Sequence, residues 1–330
     1  MSSSTSSFRN ELKVVALVLV ALAACELVVR LREQSLSLDV RHIRQIPDIS
    51  ERLAQGGDDQ QQHLLRVLFI GNSMTRYGVE PEIVEREMAA QGVAPLRIER
   101  VFPDASALPD WYYAFKRYFD APARAPDVLV VCFAANDLQD SQPVHSWRLA
   151  QYYTNLGDVP EVFREDIRDF DSRAEFLLSD ASAAFANRTR VRERALDLVI
   201  PDYRETAQQI NRTQKSQTGE RLARTQPTYR RLARLGQLAE SRGVRVILVA
   251  MPERVDYELD PQLHMAAEAA GMTLLDSRAG HGLNHDSYVD EMHLGADGAR
   301  IYSHFLARQL APKLQGIFDV KRQSIMATGK

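Results

Sequence analysis

Apolar residues fall into one long run near the amino end and five short runs spread over the rest of the chain. The long run, "VVALVLVALAACELVV" (Val14 to Val29), is broken only by Glu26. The short ones are "RVLFI" (Arg66 to Ile70), "PLRIERVF" (Pro95 to Phe102), "DVLVVCFAAND" (Asp127 to Asp137), "VRVILVAMP" (Val244 to Pro252) and "MTLLD" (Met272 to Asp276). Short, nearly continuous apolar runs predict strands covered on both faces, as in a parallel sheet. Helical stretches lie between them. Pro81 suits the first turn of a helix running to about Gln91, and Gly92 suits its end. "LPDWYYAFKRYF" reads as a second helix, and a last one covers roughly Ala296 to Leu310. Strands alternating with helices predict an α/β fold, a three-layer α/β/α arrangement around a mainly parallel five-stranded sheet. Such sheets place ligands at the carboxyl ends of their strands. Ser73, Asn136 and the segment after Asp276 all fall at such ends.

The rhythm stops between Leu138 and about Ser241, which predicts a helical insertion over residues 140–240. Its charge is segregated: Asp158 to Asp180 is acidic, and Ala186 to Arg234 is rich in arginine ("NRTRVRER", "RTQPTYRRLAR"). A solvated helical insertion accounts for this pattern. A cap over a site, or a basic face for an anionic glycan, lipid headgroup or partner, accounts for it too. No internal repeat is present.

Composition places the rest. A charged fraction of 26% and an apolar fraction of 45% are those of a globular protein, and a net charge of −3 gives no reason to expect nucleic acid. Two cysteines, one in the long apolar run and one in a core strand, predict no disulfide framework. A Ser-rich start with Arg9 and Lys13 leads into Val14 to Val29. That run is shorter than the roughly 20 residues that span a bilayer comfortably, and longer than most signal-peptide cores of about 7–15. Three readings stay open: a signal anchor with snorkelling flanks, a cleaved export signal, and a lipoprotein signal in which "LAAC" precedes a lipidated Cys25. Each places the remainder on the extracytoplasmic side, periplasmic or extracellular. The expected organisation is an anchor over 1–30, a polar linker over 31–63 with a flexible spacer at Gln55 to His63, a domain over 64–315, and a tail over 316–330.

Three short segments carry candidate chemistry. In "GNSMT" Ser73 follows the first strand, where Gly71 permits a tight turn and a backbone amide faces a developing oxyanion. Alone, a serine there is as well explained as a helix cap. In "DEMHLGADG" Asp290 stands three residues before His293, close enough to hold one imidazole nitrogen while the other faces a substrate. Alone, this is an Asp and a His in a surface loop, with Asp297 capping a helix. In "FAAND" Asn136 ends a buried strand, where its amide can donate to an oxyanion or shape a turn. All three occur in order at strand ends or before the last helix, and that favours chemistry.

These segments resemble the SGNH (GDSL-like) hydrolase superfamily. "GNS" at Gly71 to Ser73 matches its first block, "AAND" around Asn136 its third, and "DEMH" at Asp290 to His293 its fifth. The resemblance covers Leu64 to Leu310, interrupted by the insertion, and implies a flavodoxin-like fold. It implies Ser73 as nucleophile, His293 as base and Asp290 as its partner, with oxyanion donors from the Ser73 amide and the Asn136 side chain. The second block lacks its glycine: "VFPDASALPD" leaves the Ala105 or Ser106 amide as the third donor. Asn72 stands where an aspartate is common, and Ala134 where a glycine is usual. The anchored layout is similar to a cell-envelope branch that acts in exopolysaccharide O-acetylation and teichoic-acid D-alanylation. It implies an esterase or O-acyltransferase working on acyl esters of an envelope glycan, a multispanning membrane acyltransferase as partner, and no metal or organic cofactor. Two alternatives remain. One is a catalytically weak domain serving as a glycan-binding or scaffold protein. The other is a metallohydrolase using His281, His285, Asp290 and His293.

Overall fold

The computed structural model describes residues 4–55, 64–93, 95–201, 203 and 227–328. The chain divides into two compact units, one of residues 42–144 and 218–330, the other of residues 1–41 and 145–217.

The first unit is α/β. Its sheet has five parallel strands, β1 (Leu65–Ile70), β2 (Leu96–Val101), β3 (Val128–Phe133), β4 (Arg245–Ala250) and β5 (Thr273–Asp276), in the order β2-β1-β3-β4-β5. Central β1 and β3 are buried along their whole length, whereas edge strands β2 and β5 are only partly covered, as near-continuous apolar runs require in the middle of a layered sheet. The chain winds from β1 to β2 in one direction and from β2 through β3 and β4 to β5 in the other. Right-handed crossovers therefore put helices on both faces. One face, with Val67, Phe69, Val130, Cys132 and Val249, packs against Met74, Val84 and Met88 and against Tyr302, Leu306 and Leu310 of the last helix. The reversal of strand order falls between β1 and β3, the place where such sheets open a crevice at their carboxyl ends.

Three expectations about boundaries change. Residues 31–54 are not a polar linker: Leu38–Ala54 is helical, with Ile43, Ile46, Ile49 and Leu53 buried at three- and four-residue spacing. From His42 onward it packs on the α/β unit, where His42 Nε2 accepts from the Phe102 N–H at 2.9 Å and Arg52 pairs with Glu99 at 2.7 Å. The insertion ends earlier than 240, because Arg230–Ser241 buries Leu232, Leu235 and Ala239 within the α/β unit. The last helix runs Ala296–Thr328 and takes in most of the expected tail, held by Lys321 on Asp127 at 2.9 Å. Residues 56–63 of the expected spacer and 204–226 of the arginine-rich stretch lie outside the described residues.

The second unit is helical. Its first helix, Ser4–Leu36, is long and apolar enough from Asn10 to Leu36 to cross a membrane; its apolar side chains from Leu12 to Val28 are exposed, whereas Val29 is buried. Ala183–Ala186 and Arg188–Val199 pack on this helix, and Phe170–Ala181 packs in turn on Ala183–Ala186 and on Ser146–Arg148. Buried Arg148 pairs with Asp39 at 3.1 Å, and the Arg190 guanidinium lies 3.9 Å from the centre of the Trp147 ring. That arginine of "NRTRVRER" is therefore spent on internal packing. Cys25 is exposed and Cys132 buried, both as free thiols.

Candidate active site

β1 ends at Ile70 and the chain turns at once into the short helix Ser73–Gly78. The turn demands glycine at 71, where a Cβ would lie 2.7 Å from the Cys132 carbonyl oxygen of neighbouring β3. Asn72 caps the helix, its Oδ1 accepting from the Met74 N–H at 3.0 Å, so Ser73 becomes the first helical residue at the mouth of the crevice.

The base arrives on the loop before the last helix. Tyr288 and Leu294 bridge in antiparallel fashion, the Val289 N–H donates to the His293 carbonyl at 2.9 Å, and the Gly295 N–H donates to the Ser287 carbonyl at 2.8 Å. Within that closed loop Asp290 Oδ1 accepts from the Met292 and His293 N–H groups at 2.9 and 2.8 Å. Its Oδ2 lies 2.8 Å from His293 Nδ1, and His293 Nε2 lies 2.8 Å from Ser73 Oγ. With the carboxylate accepting from Nδ1–H, Nε2 is left as the acceptor of the serine hydroxyl proton. Burial would raise the Asp290 carboxyl. The His293 ring and the two backbone donors outweigh it and hold the group below the ordinary carboxylate range. Tyr77 meets the His293 ring edge-to-face with centroids 5.2 Å apart, a contact nothing in the motif spacing announced.

Asn72 also ties three strand ends together. Its Nδ2 donates to Asp137 Oδ2 after β3 at 3.0 Å and to the Ser106 carbonyl after β2 at 3.4 Å. Asp137 Oδ2 accepts from the Ala134 N–H as well, at 3.0 Å. Burial pushes the Asp137 carboxyl up to about 7, opposed by these two donors and reinforced by the like charge of Glu253. Burial also raises Glu253, just beyond β4. Sequence reasoning missed Asp137, although it adjoins Asn136 in "FAAND", because burial is not visible in a five-residue motif.

The expected oxyanion donors flank this strut. Asn136 is exposed and follows left-handed Ala135 (φ 41°), and its Oδ1 accepts from Gln139 Nε2 at 2.9 Å. That bond sets the amide plane and leaves Nδ2 for another acceptor. Ala105 is exposed and left-handed (φ 49°), the conformation a glycine adopts freely. Ser106 instead turns its hydroxyl inward, donating to the Pro103 carbonyl at 2.6 Å and accepting from Trp111 Nε1 at 2.8 Å.

No protein-family model matches the chain, and no curated protein matches it. Among solved structures, an acetylxylan esterase from Geobacillus stearothermophilus aligns at 14% identity over 74% of this chain and 93% of that chain, with a TM-score of 0.36. A lipase/acylhydrolase from Enterococcus faecalis aligns at 12% identity over 76% of this chain and 97% of that chain, with a TM-score of 0.37. Likeness at this level says nothing of chemistry, which has to be read from the side chains.

The four residues weighed as a metal set do not converge. His281 Nε2 faces the Arg278 carbonyl at 2.7 Å and its Nδ1 accepts from the Leu283 N–H at 3.0 Å, while His285 Nδ1 accepts from Arg254 at 3.0 Å. Among the described residues, no group of three or more His, Cys, Asp or Glu is placed to hold a metal ion. A cavity of about 480 Å³ between Gly236, Glu240, Arg245 and Gly271 lies at the amino end of β4, away from Ser73.

Proposed function

We propose that this chain is a serine-dependent acyl esterase or O-acyltransferase acting on acyl esters of an envelope or extracellular glycan. The observation that carries the reading is the unbroken chain from Ser73 Oγ to His293 Nε2 and from His293 Nδ1 to Asp290 Oδ2, each link 2.8 Å. Both distances are within the hydrogen-bond range a nucleophile–base pair requires.

In this mechanism Ser73 Oγ attacks the ester carbonyl carbon as its proton passes to His293 Nε2. Asp290 keeps the imidazole in the required tautomer and stabilises the imidazolium. The carbonyl oxygen takes up the electron pair and accepts from the Ser73 N–H, the Asn136 Nδ2 and the Ala105 N–H. Collapse expels the alcohol, which takes the proton from His293, and leaves an acyl-Ser73. Water or a sugar hydroxyl then repeats the sequence in reverse. The difference between esterase and transferase lies in that second acceptor alone.

The glycan and the extracytoplasmic location follow from reading Ser4–Leu36 as a membrane anchor, and a membrane acyltransferase partner belongs to the same proposal. The direct test is p-nitrophenyl acetate turnover. Ser73→Ala and His293→Ala should each lower kcat by at least about a thousandfold with unchanged thermal unfolding. Turnover by Ser73→Ala that persists and disappears with a chelator would replace this reading with a metal-dependent one.

A further inference from the structure

The apolar helix carries a charge that its depth makes informative. Lys13 and Arg30 bracket the run, seventeen residues apart, about 26 Å at the helical rise of 1.5 Å per residue. That is a little less than a hydrocarbon core of about 30 Å. Glu26 lies thirteen residues beyond Lys13, about 20 Å along, and so one turn, about 6 Å, inside Arg30. A bare carboxylate there is unfavourable.

It is not bare. Glu26 accepts from Ser182 Oγ at 2.7 Å and from the Ala183 and Ala184 N–H groups at 2.8 and 2.9 Å, and it pairs with Arg30 at 2.6 Å. Those donors form the corner between the helices Phe170–Ala181 and Ala183–Ala186. The corner therefore sits at the depth of Glu26. Its outward side chains suit that depth. Leu177 and Leu178 are 53% and 50% exposed, and Ala181 is exposed on the same face, opposite buried Phe176 and Ser179. Asp180 borders this face. At the next level Arg188 spans the Phe185 carbonyl at 2.9 Å and Glu175 at 2.5 Å, a charged rim of the kind found at headgroups.

We propose that the Leu177–Leu178–Ala181 face is a second membrane contact, seated at the acyl-chain boundary of the bilayer beside the anchor. The occupant is lipid. Continuity with the bare apolar helix, and the shared depth fixed through Glu26, argue for it. The proposal rests on the anchor reading, and its test separates the two.

The full chain with Cys25→Ser, leaving only buried Cys132, is given one new cysteine at Leu22, Leu177, Leu178 or Leu198 and labelled with nitrobenzoxadiazole. Each protein is reconstituted into phosphatidylcholine–phosphatidylglycerol vesicles. Quenching by doxyl-labelled lipid is compared with quenching by aqueous iodide. Leu198, 86% exposed near the end of Arg188–Val199, reports water, and Leu22 reports the anchor. The expected result is that labels at 22, 177 and 178 are quenched by the lipid probe and shielded severalfold from iodide relative to 198. Labels at 177 and 178 that behave like 198 while 22 stays shielded overturn the second contact and leave the anchor standing. Iodide quenching at 22 overturns both.

Discussion

Asp290 uses one carboxylate for three bonds: two to backbone N–H groups that shape its own loop and one to the base it orients. An amide at this position that keeps the loop bonds with its oxygen turns its NH2 group to His293 Nδ1 and so favours the wrong imidazole tautomer. Asp290→Asn is therefore expected to lower kcat by about a hundredfold to ten-thousandfold while changing KM little. Because its folded value is depressed, the stability Asp290 contributes is present above the ordinary carboxylate range and lost as pH falls below it. Asp137 has the opposite sign. Raised to about 7, it keeps a proton in the folded protein that the unfolded chain has already released, so its contribution declines as pH rises from about 4 to 7. Asp137→Asn removes that term, and its urea midpoint should fall less steeply than the parent's across this window. Parallel slopes would show that Asp137 ionises normally. At this scale Ser73, Asp290 and His293 were legible because each is a motif residue at fixed spacing. Asn72 and Asp137 were not, because their roles come from contacts across three strand ends.

The turn after β2 needs a left-handed residue, and Ala105 supplies it at φ 49° without a glycine. For an L-residue that conformation costs roughly 1–2 kcal/mol. Ala105→Gly, which relieves the strain but loosens the unfolded chain, should raise stability by about 0.5–1 kcal/mol in denaturant titrations and leave turnover intact. A loss of turnover with the predicted gain in stability would show that the strain itself positions the donor. Strands were the most legible elements, since β1, β3 and β4 are nearly continuous apolar runs lying within a residue or a few of the expected segments, although β3 stops at Phe133 and β4 at Ala250, short of the expected ends. Leu38–Ala54 escaped notice because its buried positions are diluted by charged residues and Pro47, so composition suggested a linker where periodicity spelled a helix. The same dilution hid Arg230–Ser241, whose arginines concealed the apolar stripe at Leu232, Leu235 and Ala239.

The chain as a whole pairs a layered α/β unit carrying a serine–histidine–aspartate chain with a helical unit built on one long apolar helix. The first could be foreseen from pattern and motif together. The second was foreseen in its parts, the apolar helix and the helical insertion, but not as one unit, because the partnership of residues 1–41 with 145–217 joins segments a hundred residues apart and leaves no periodic trace. The central claim concerns one oxygen atom, and it is best tested on the complete, membrane-reconstituted chain. Incubation with a water-soluble fluorophosphonate followed by intact mass and peptide mapping should show a single phosphonyl adduct, located on Ser73 and absent from Ser73→Ala and His293→Ala. Folded protein that takes up no label, or takes it up on another residue, would contradict the account.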